Sequence, residues 1–141
     1  MTRITTHEIE CQACGSKQDT EIFESINVTV DPELKEKLFK GEINKFICEK
    51  CSHEAMVDIS LLYNDMERKF SVQYYPYQWI FDESFLNGFT KQGEPEWTRD
   101  ERVPKKIMGH LKWTHIVFSM DELIRYIMFR DRVSEKWKRS S

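Results

Sequence analysis

Cys11-Gln12-Ala13-Cys14-Gly15 and Cys48-Glu49-Lys50-Cys51-Ser52 hold all 4 cysteines of the chain, as two Cys-x-x-Cys pairs with residues 15–47 between them. Two such turns facing each other supply the thiolates that Zn²⁺ takes in tetrahedral geometry, with Zn–S bonds of about 2.3 Å. Four thiolates leave no position for water or substrate, so the spacing predicts a structural staple. Cys11, Cys14, Cys48 and Cys51 are the expected ligands. Each pair follows a candidate strand, and strand, helix and strand lie between the pairs, so the metal would pin both ends of a folded unit.

Other chemistries use the same four thiols. A redox-active Cys-x-x-Cys usually has its leading cysteine at a helix N-terminus, which lowers the thiol pKa. Here Gly15-Ser16 and Ser52-His53 follow the pairs without a helical apolar pattern. An iron–sulfur or redox switch would need the same ligands, and a pair of disulfides would need an oxidising compartment. His53, two residues past Cys51, is read as a spare residue or one that hydrogen-bonds near the thiolates.

The chain has 141 residues, 40% of them hydrophobic and 13% aromatic, enough to build a core. Its net charge of −3 and pI near 5.8 disfavour a general nucleic-acid binder. The charge is uneven: residues 1–76 carry 9 basic and 14 acidic groups, residues 77–141 carry 12 and 10. The N-terminus lacks the apolar stretch of a signal peptide, and no run approaches the ~20 apolar residues of a membrane span. A cytoplasmic protein without a membrane partner is expected, and in a reducing compartment cysteines serve as metal ligands more often than as disulfides.

Along the chain, Ile4 to Ile9 reads as a strand. From Ile22 onward, Ile22, Ile26, Val28 and Val30 alternate with polar residues as a half-buried strand, interrupted by Glu24. Asp31-Pro32-Glu33 opens a helix with Asp31 as cap, Leu34, Leu38 and Phe39 facing inward, and Gly41 as its stop. Residues 43–47 lead to the second cysteine pair. Ala55 to Leu61 and Phe70 to Tyr74 alternate as two further strands, joined as a hairpin through Tyr63-Asn64-Asp65. Residues 77–81 are aromatic, 83–89 suggest a short helix, and 91–106 read as a loop. Leu111 to Phe118 suggests a strand. Ser119-Met120-Asp121-Glu122 is a capping box opening a helix to about Trp137.

That helix shows two apolar stripes. Met120, Leu123, Ile124, Ile127 and Met128 form one, and Tyr126, Phe129, Val133 and Trp137 the other. Packing on a single surface needs only one stripe, so the second is a candidate surface for a protein partner or for self-association. Phosphate-binding loops, a nucleophile elbow and a zinc-protease His motif are all missing from the sequence.

Cys-x-x-Cys-Gly, Phe23-Glu-Ser-Ile-Asn-Val-Thr-Val-Asp-Pro-Glu-Leu-Lys, Gly41-Glu-Ile-Asn with the second Cys-x-x-Cys, and Leu62-Tyr-Asn-Asp-Met-Glu together resemble the CpXC-domain proteins of bacteria and archaea. Ile116-Val-Phe-Ser-Met-Asp-Glu-Leu-Ile, continuing to Asp131-Arg-Val, is similar to that family's C-terminal strand and helix. The resemblance is close over residues 7–76 and looser over 111–134. It implies a metal-binding domain of about this length and no particular activity. Gln12 and Glu49 stand where the family carries proline. Proline stiffens such a turn but gives the metal no bond, so the ligand assignment does not depend on it.

The expected fold is α+β: a zinc-ribbon-like antiparallel sheet, a short helix over it, and a long C-terminal helix. Residues 1–81 form the zinc-ribbon-like region, 82–110 a loop-rich connection, and 111–141 a strand and helix packing back on the first region as one structural domain. The expected role is a non-enzymatic scaffold or adaptor with structural Zn²⁺. The alternatives are a nucleic-acid module using Lys105, Lys106, Lys112, Arg125 and the basic tail, or an enzyme with a pocket near His110 or His115.

Overall fold

The computed structural model describes residues 2–102 and 109–140. Lys105, Lys106 and part of the expected 91–106 loop lie outside them. The fold is α+β. A five-stranded sheet has the order β1 (Arg3–Glu10), β2 (Lys17–Asn27), β5 (Leu61–Asp65), β6 (Phe70–Tyr74), β7 (His115–Val117). A separate two-stranded sheet joins β3 (Lys45–Ile47) to β4 (Glu54–Met56). Among the described residues the α-helices are α1 (Glu33–Phe39), α2 (Glu83–Leu86) and α3 (Met120–Ser140).

The main sheet is mixed, which corrects the expectation of an antiparallel one. β1–β2 and β5–β6 are antiparallel, whereas β2–β5 and β6–β7 are parallel. A parallel pair needs a long crossover. Residues 28–60 provide one, carrying α1 and the β3–β4 hairpin, and residues 75–114 provide the other. Alternation within a strand reports which face is buried and not the direction of its neighbour.

Several strand boundaries also differ from expectation. Ile4 pairs with Phe23 but Arg3 pairs with Ser25, so Glu24 is an extra residue, a β-bulge. The bulge changes the parity of β2: Phe23 and Ile26 pack on the same core. The strand ends at Asn27, and Val30 is exposed. Glu24 itself pairs with Arg3 at 3.1 Å. The residues expected as one strand from Ala55 to Leu61 divide between β4 and β5. Tyr63, Asn64 and Asp65 are buried inside β5, and the hairpin turn falls at 66–69. Asn64 is held inside the strand by its bond to His110, whereas Asp65 ends the strand and caps the turn: its Oδ1 accepts the Arg68 N–H at 2.9 Å and its Oδ2 pairs with the Arg68 guanidinium at 3.0 Å. Gly109–Trp113 is a 3₁₀ turn, leaving only His115–Val117 of the expected strand.

In α1, Leu34 and Leu38 are buried one turn apart, while Phe39 lies off that face and is 39% exposed. The Asp31 side chain does not cap; its backbone carbonyl accepts the Leu34 N–H. At the other end Gly41, at φ +73°, donates to the Leu38 carbonyl and Glu42 donates to that of Lys37. This is a Schellman stop, as the glycine predicts.

Ser119 caps the helix: the Glu122 N–H donates to Ser119 Oγ at 3.1 Å, and Ser119 Oγ donates to Glu122 Oε1 at 3.2 Å. Leu123 and Ile127 then enter the main core with Ile26, Leu38, Tyr63, Val72 and Val117. Asp131 ties α3 to Lys35 of α1 and to Arg68 in the β5–β6 turn. A second, smaller core of Cys11, Phe46 and Cys48, with Ile9, Ala55 and Val57 packed against it, is separate from the first.

Candidate metal centre

The first cysteine pair sits at the tip of the β1–β2 hairpin and the second at the tip of the β3–β4 hairpin. The two tips have the same backbone plan. The Cys11 N–H donates to the Ser16 carbonyl at 2.8 Å, and the Cys48 N–H to that of His53 at 2.9 Å. Gly15 donates to the Cys11 carbonyl at 2.8 Å and Ser52 to that of Cys48 at 2.9 Å. Gly15 and Ser52 both adopt left-handed conformations, at φ +74° and +63°. That reversal brings each chain back past its own sulfurs.

The four sulfurs converge, all within 4.8 Å of one another. Cys11 Sγ lies 3.6 Å from Cys51 Sγ, and Cys14 Sγ 3.6 Å from Cys48 Sγ. A tetrahedron of ~2.3 Å metal–sulfur bonds has edges of about 3.8 Å, so the spacing fits a tetrahedral thiolate site. All four cysteines are free thiols; Cys11 and Cys48 are buried, Cys14 and Cys51 exposed.

The thiols are not equivalent. The Ser16 hydroxyl, then the Cys51 and Lys50 N–H groups, pull Cys48 down to about 6. The Ser16 hydroxyl and its backbone N–H also lower Cys14. The His53 N–H pulls Cys51 down, but desolvation and hydrogen bonds to the other thiols outweigh it and push Cys51 up to about 12. Hydrogen bonds donated to a thiolate favour the charged form, whereas burial and a neighbouring sulfur that is already ionised favour the proton.

Two amide side chains hold the second hairpin against β2. Gln18 Nε2 donates to the Ile47 carbonyl at 2.8 Å, and its Oε1 accepts the Glu49 N–H at 2.9 Å. Asn44, at φ +56°, bonds both backbone groups of Phe23, accepting at 2.7 Å and donating at 3.0 Å. They substitute for a strand neighbour that β2 lacks there, since β5 pairs only with Ser25–Asn27.

Ser16, Gln18 and Asn44 were not singled out from the sequence. Ser16 had a usable signal: it follows Cys14 by two residues, as His53 follows Cys51. His53 engages the site through its backbone. Gln18 and Asn44 have no signal, because their partners are backbone groups far along the chain.

The other expected site residues lie elsewhere. Tyr126 packs on the core edge and stacks on His115 at 3.9 Å, whereas Phe129 is 58% and Trp137 65% exposed. Val133 is half-buried. His110 bonds Asn64, and burial lowers its pKa. Among the described residues no helix is long and apolar enough to cross a membrane.

The sequence matches the CpXC protein family over residues 9–136, nearly the whole chain, including both cysteine pairs and most of α3. No curated protein and no solved structure matches it. Family membership and the converged thiols agree on metal binding: this chain belongs to the CpXC family.

Proposed function

We propose that the protein is a non-enzymatic scaffold with one structural Zn²⁺ on Cys11, Cys14, Cys48 and Cys51, in a zinc-ribbon-like arrangement of two facing hairpin tips. The convergence of four sulfurs at tetrahedral spacing carries this reading. Four thiolates without carboxylate or imidazole suit zinc, close the site to substrate, and suit the reducing cytoplasm. Elemental analysis of the purified protein should give one zinc per chain. Cys48→Ser should lose it, and a variant retaining full zinc would refute the ligand set.

The scaffold role is supported by the exposed face of α3. Arg125, Phe129, Arg132 and Lys136 follow an i, i+4, i+7, i+11 row and are all exposed. The adjoining row holds Tyr126, Val133 and Trp137. The occupant this reading assigns is a second copy of the chain. Its β1–β2 ribbon presents exposed Glu8 opposite Asp19, with Glu10, Glu21 and a single cation, Lys17, on the same face, a net acidic surface that matches the basic row. Light scattering should show salt-sensitive self-association, weakened by Phe129→Glu. A monomer at high concentration and low salt would sink this reading.

A nucleic-acid module is the second reading. Lys112 lies 5.4 Å from the Trp113 ring centre, and that ring is 76% exposed, a base-stacking surface with a cation beside it. Absence of any shift with single-stranded RNA or DNA at low salt would dismiss it.

A further inference from the structure

The residue most intimately placed against the four sulfurs is not a cysteine. Ser16 Oγ lies 3.1 Å from Cys14 Sγ and 3.3 Å from Cys48 Sγ, so one hydroxyl touches a sulfur of each hairpin tip. Its position is held from both sides. Gly15 turns the chain back at φ +74°, and the Ser16 carbonyl accepts the Cys11 N–H at 2.8 Å.

We infer that Ser16 is a positioning residue of the metal site, whose hydroxyl donates to the Cys14 or Cys48 thiolate, restrains the two tips against each other and blunts the nucleophilicity of the exposed sulfur. This deepens the four-cysteine reading and rests on it. Four thiolates around a divalent ion leave a net charge of about −2, which donors from the surrounding protein must offset. Backbone N–H groups supply part of this at both tips. The hydroxyl is an added donor at one tip only. At the equivalent place in the other tip stands His53, which contributes its backbone. Cys14 is exposed, so its thiolate is the one of this contacted pair open to electrophiles and oxidants. A hydrogen-bonded thiolate shares its charge with the donor and attacks more slowly.

The site therefore has an asymmetry that the repeated Cys-x-x-Cys pattern hides. The hydroxyl has a single proton, so it donates to one sulfur at a time while remaining in contact with the other. Losing it should leave the ligand set intact and change how firmly metal is held.

The test compares wild type, Ser16→Ala and Ser16→Thr, each loaded with one Zn²⁺ or one Co²⁺. Ser16 is half-buried, so the alanine variant is expected to fold, with Ser16→Gly as a second hydroxyl deletion. Competition with a chromophoric chelator should show Ser16→Ala binding zinc about 10–100-fold more weakly. Its Co²⁺ form should show a shifted thiolate charge-transfer band, and iodoacetamide should label Cys14 several-fold faster by peptide mass spectrometry. Ser16→Thr, which keeps the hydroxyl, should restore all three. Ser16→Ala matching wild type in zinc affinity, cobalt spectrum and Cys14 labelling would overturn the inference while leaving the ligand set standing. Wild-type protein that takes up no metal would overturn the four-cysteine reading and this inference together.

Discussion

At the residue scale, the two cysteine turns solve one steric problem with different residues. The position after the second cysteine must be left-handed, where a Cβ costs roughly 1–2 kcal/mol. Gly15 avoids this and Ser52 does not. A Cβ at Gly15 would meet nothing within 4 Å, so substitution there is a purely conformational test. Gly15→Ala should destabilise the protein by about 1 kcal/mol. Ser52→Gly should stabilise it by about 0.5 kcal/mol, less because glycine also loosens the unfolded chain. Thermal unfolding of the metal-loaded forms would show Tm moving in opposite directions; equal shifts would contradict the account. Gly15 was legible in the sequence as a turn glycine, but the strain at Ser52 required the backbone itself.

At the element scale, α3 does not divide along its two stripes. Leu123 and Ile127 of the first are fully buried but Met128 is 51% exposed, while in the second Tyr126 packs on the core edge and Phe129 is 58% exposed. Ile127→Ala should therefore cost about 2–5 kcal/mol through lost burial and a cavity. Phe129→Ala should change stability by no more than about 0.5 kcal/mol, as expected of a surface position. Chemical denaturation of both variants checks this, and a large loss for Phe129→Ala would show the second stripe to be structural. The helix start and its apolar periodicity were legible in the sequence, since capping and periodicity are local. Which residues of each stripe face the core was not, because that depends on where β6, β7 and α1 lie. Misplacing the hairpin turn at Tyr63–Asp65 has the same origin. Asn64 looks like a turn residue until His110 is brought beside it, whereas Asp65 does cap a turn, the one that follows it at 66–69.

At the scale of the whole molecule, the separation of the two cores predicts how the protein responds to metal removal. The Cys11, Phe46 and Cys48 cluster shares no residue with the core that holds Leu34, Leu38, Leu61 and α3. α1 and Leu61 lie within or beside the loop that the metal would close, yet they are secured by the larger core. Chelation should therefore loosen the ribbon tip and the β3–β4 hairpin while α1, β5, β6 and α3 remain folded. Hydrogen exchange with and without chelator should show protection lost over residues 9–18 and 45–57 and retained over 61–74 and 120–128. Global loss of protection would show the metal to be the keystone of the entire fold.

The chain's own order of residues determined the paired cysteines, the helix that Gly41 stops, the capped C-terminal helix and the family to which they belong. Each depends on spacing or on contacts within a few residues, which a linear pattern carries. Tertiary structure alone decided the parallel pairing of β2 with β5 and β6 with β7, and the bulge at Glu24. It also decided the amide bridges of Gln18 and Asn44, and the placing of one serine hydroxyl between two sulfurs. Those outcomes join groups tens of residues apart, and the free energy that selects them comes from burial and hydrogen bonding between elements.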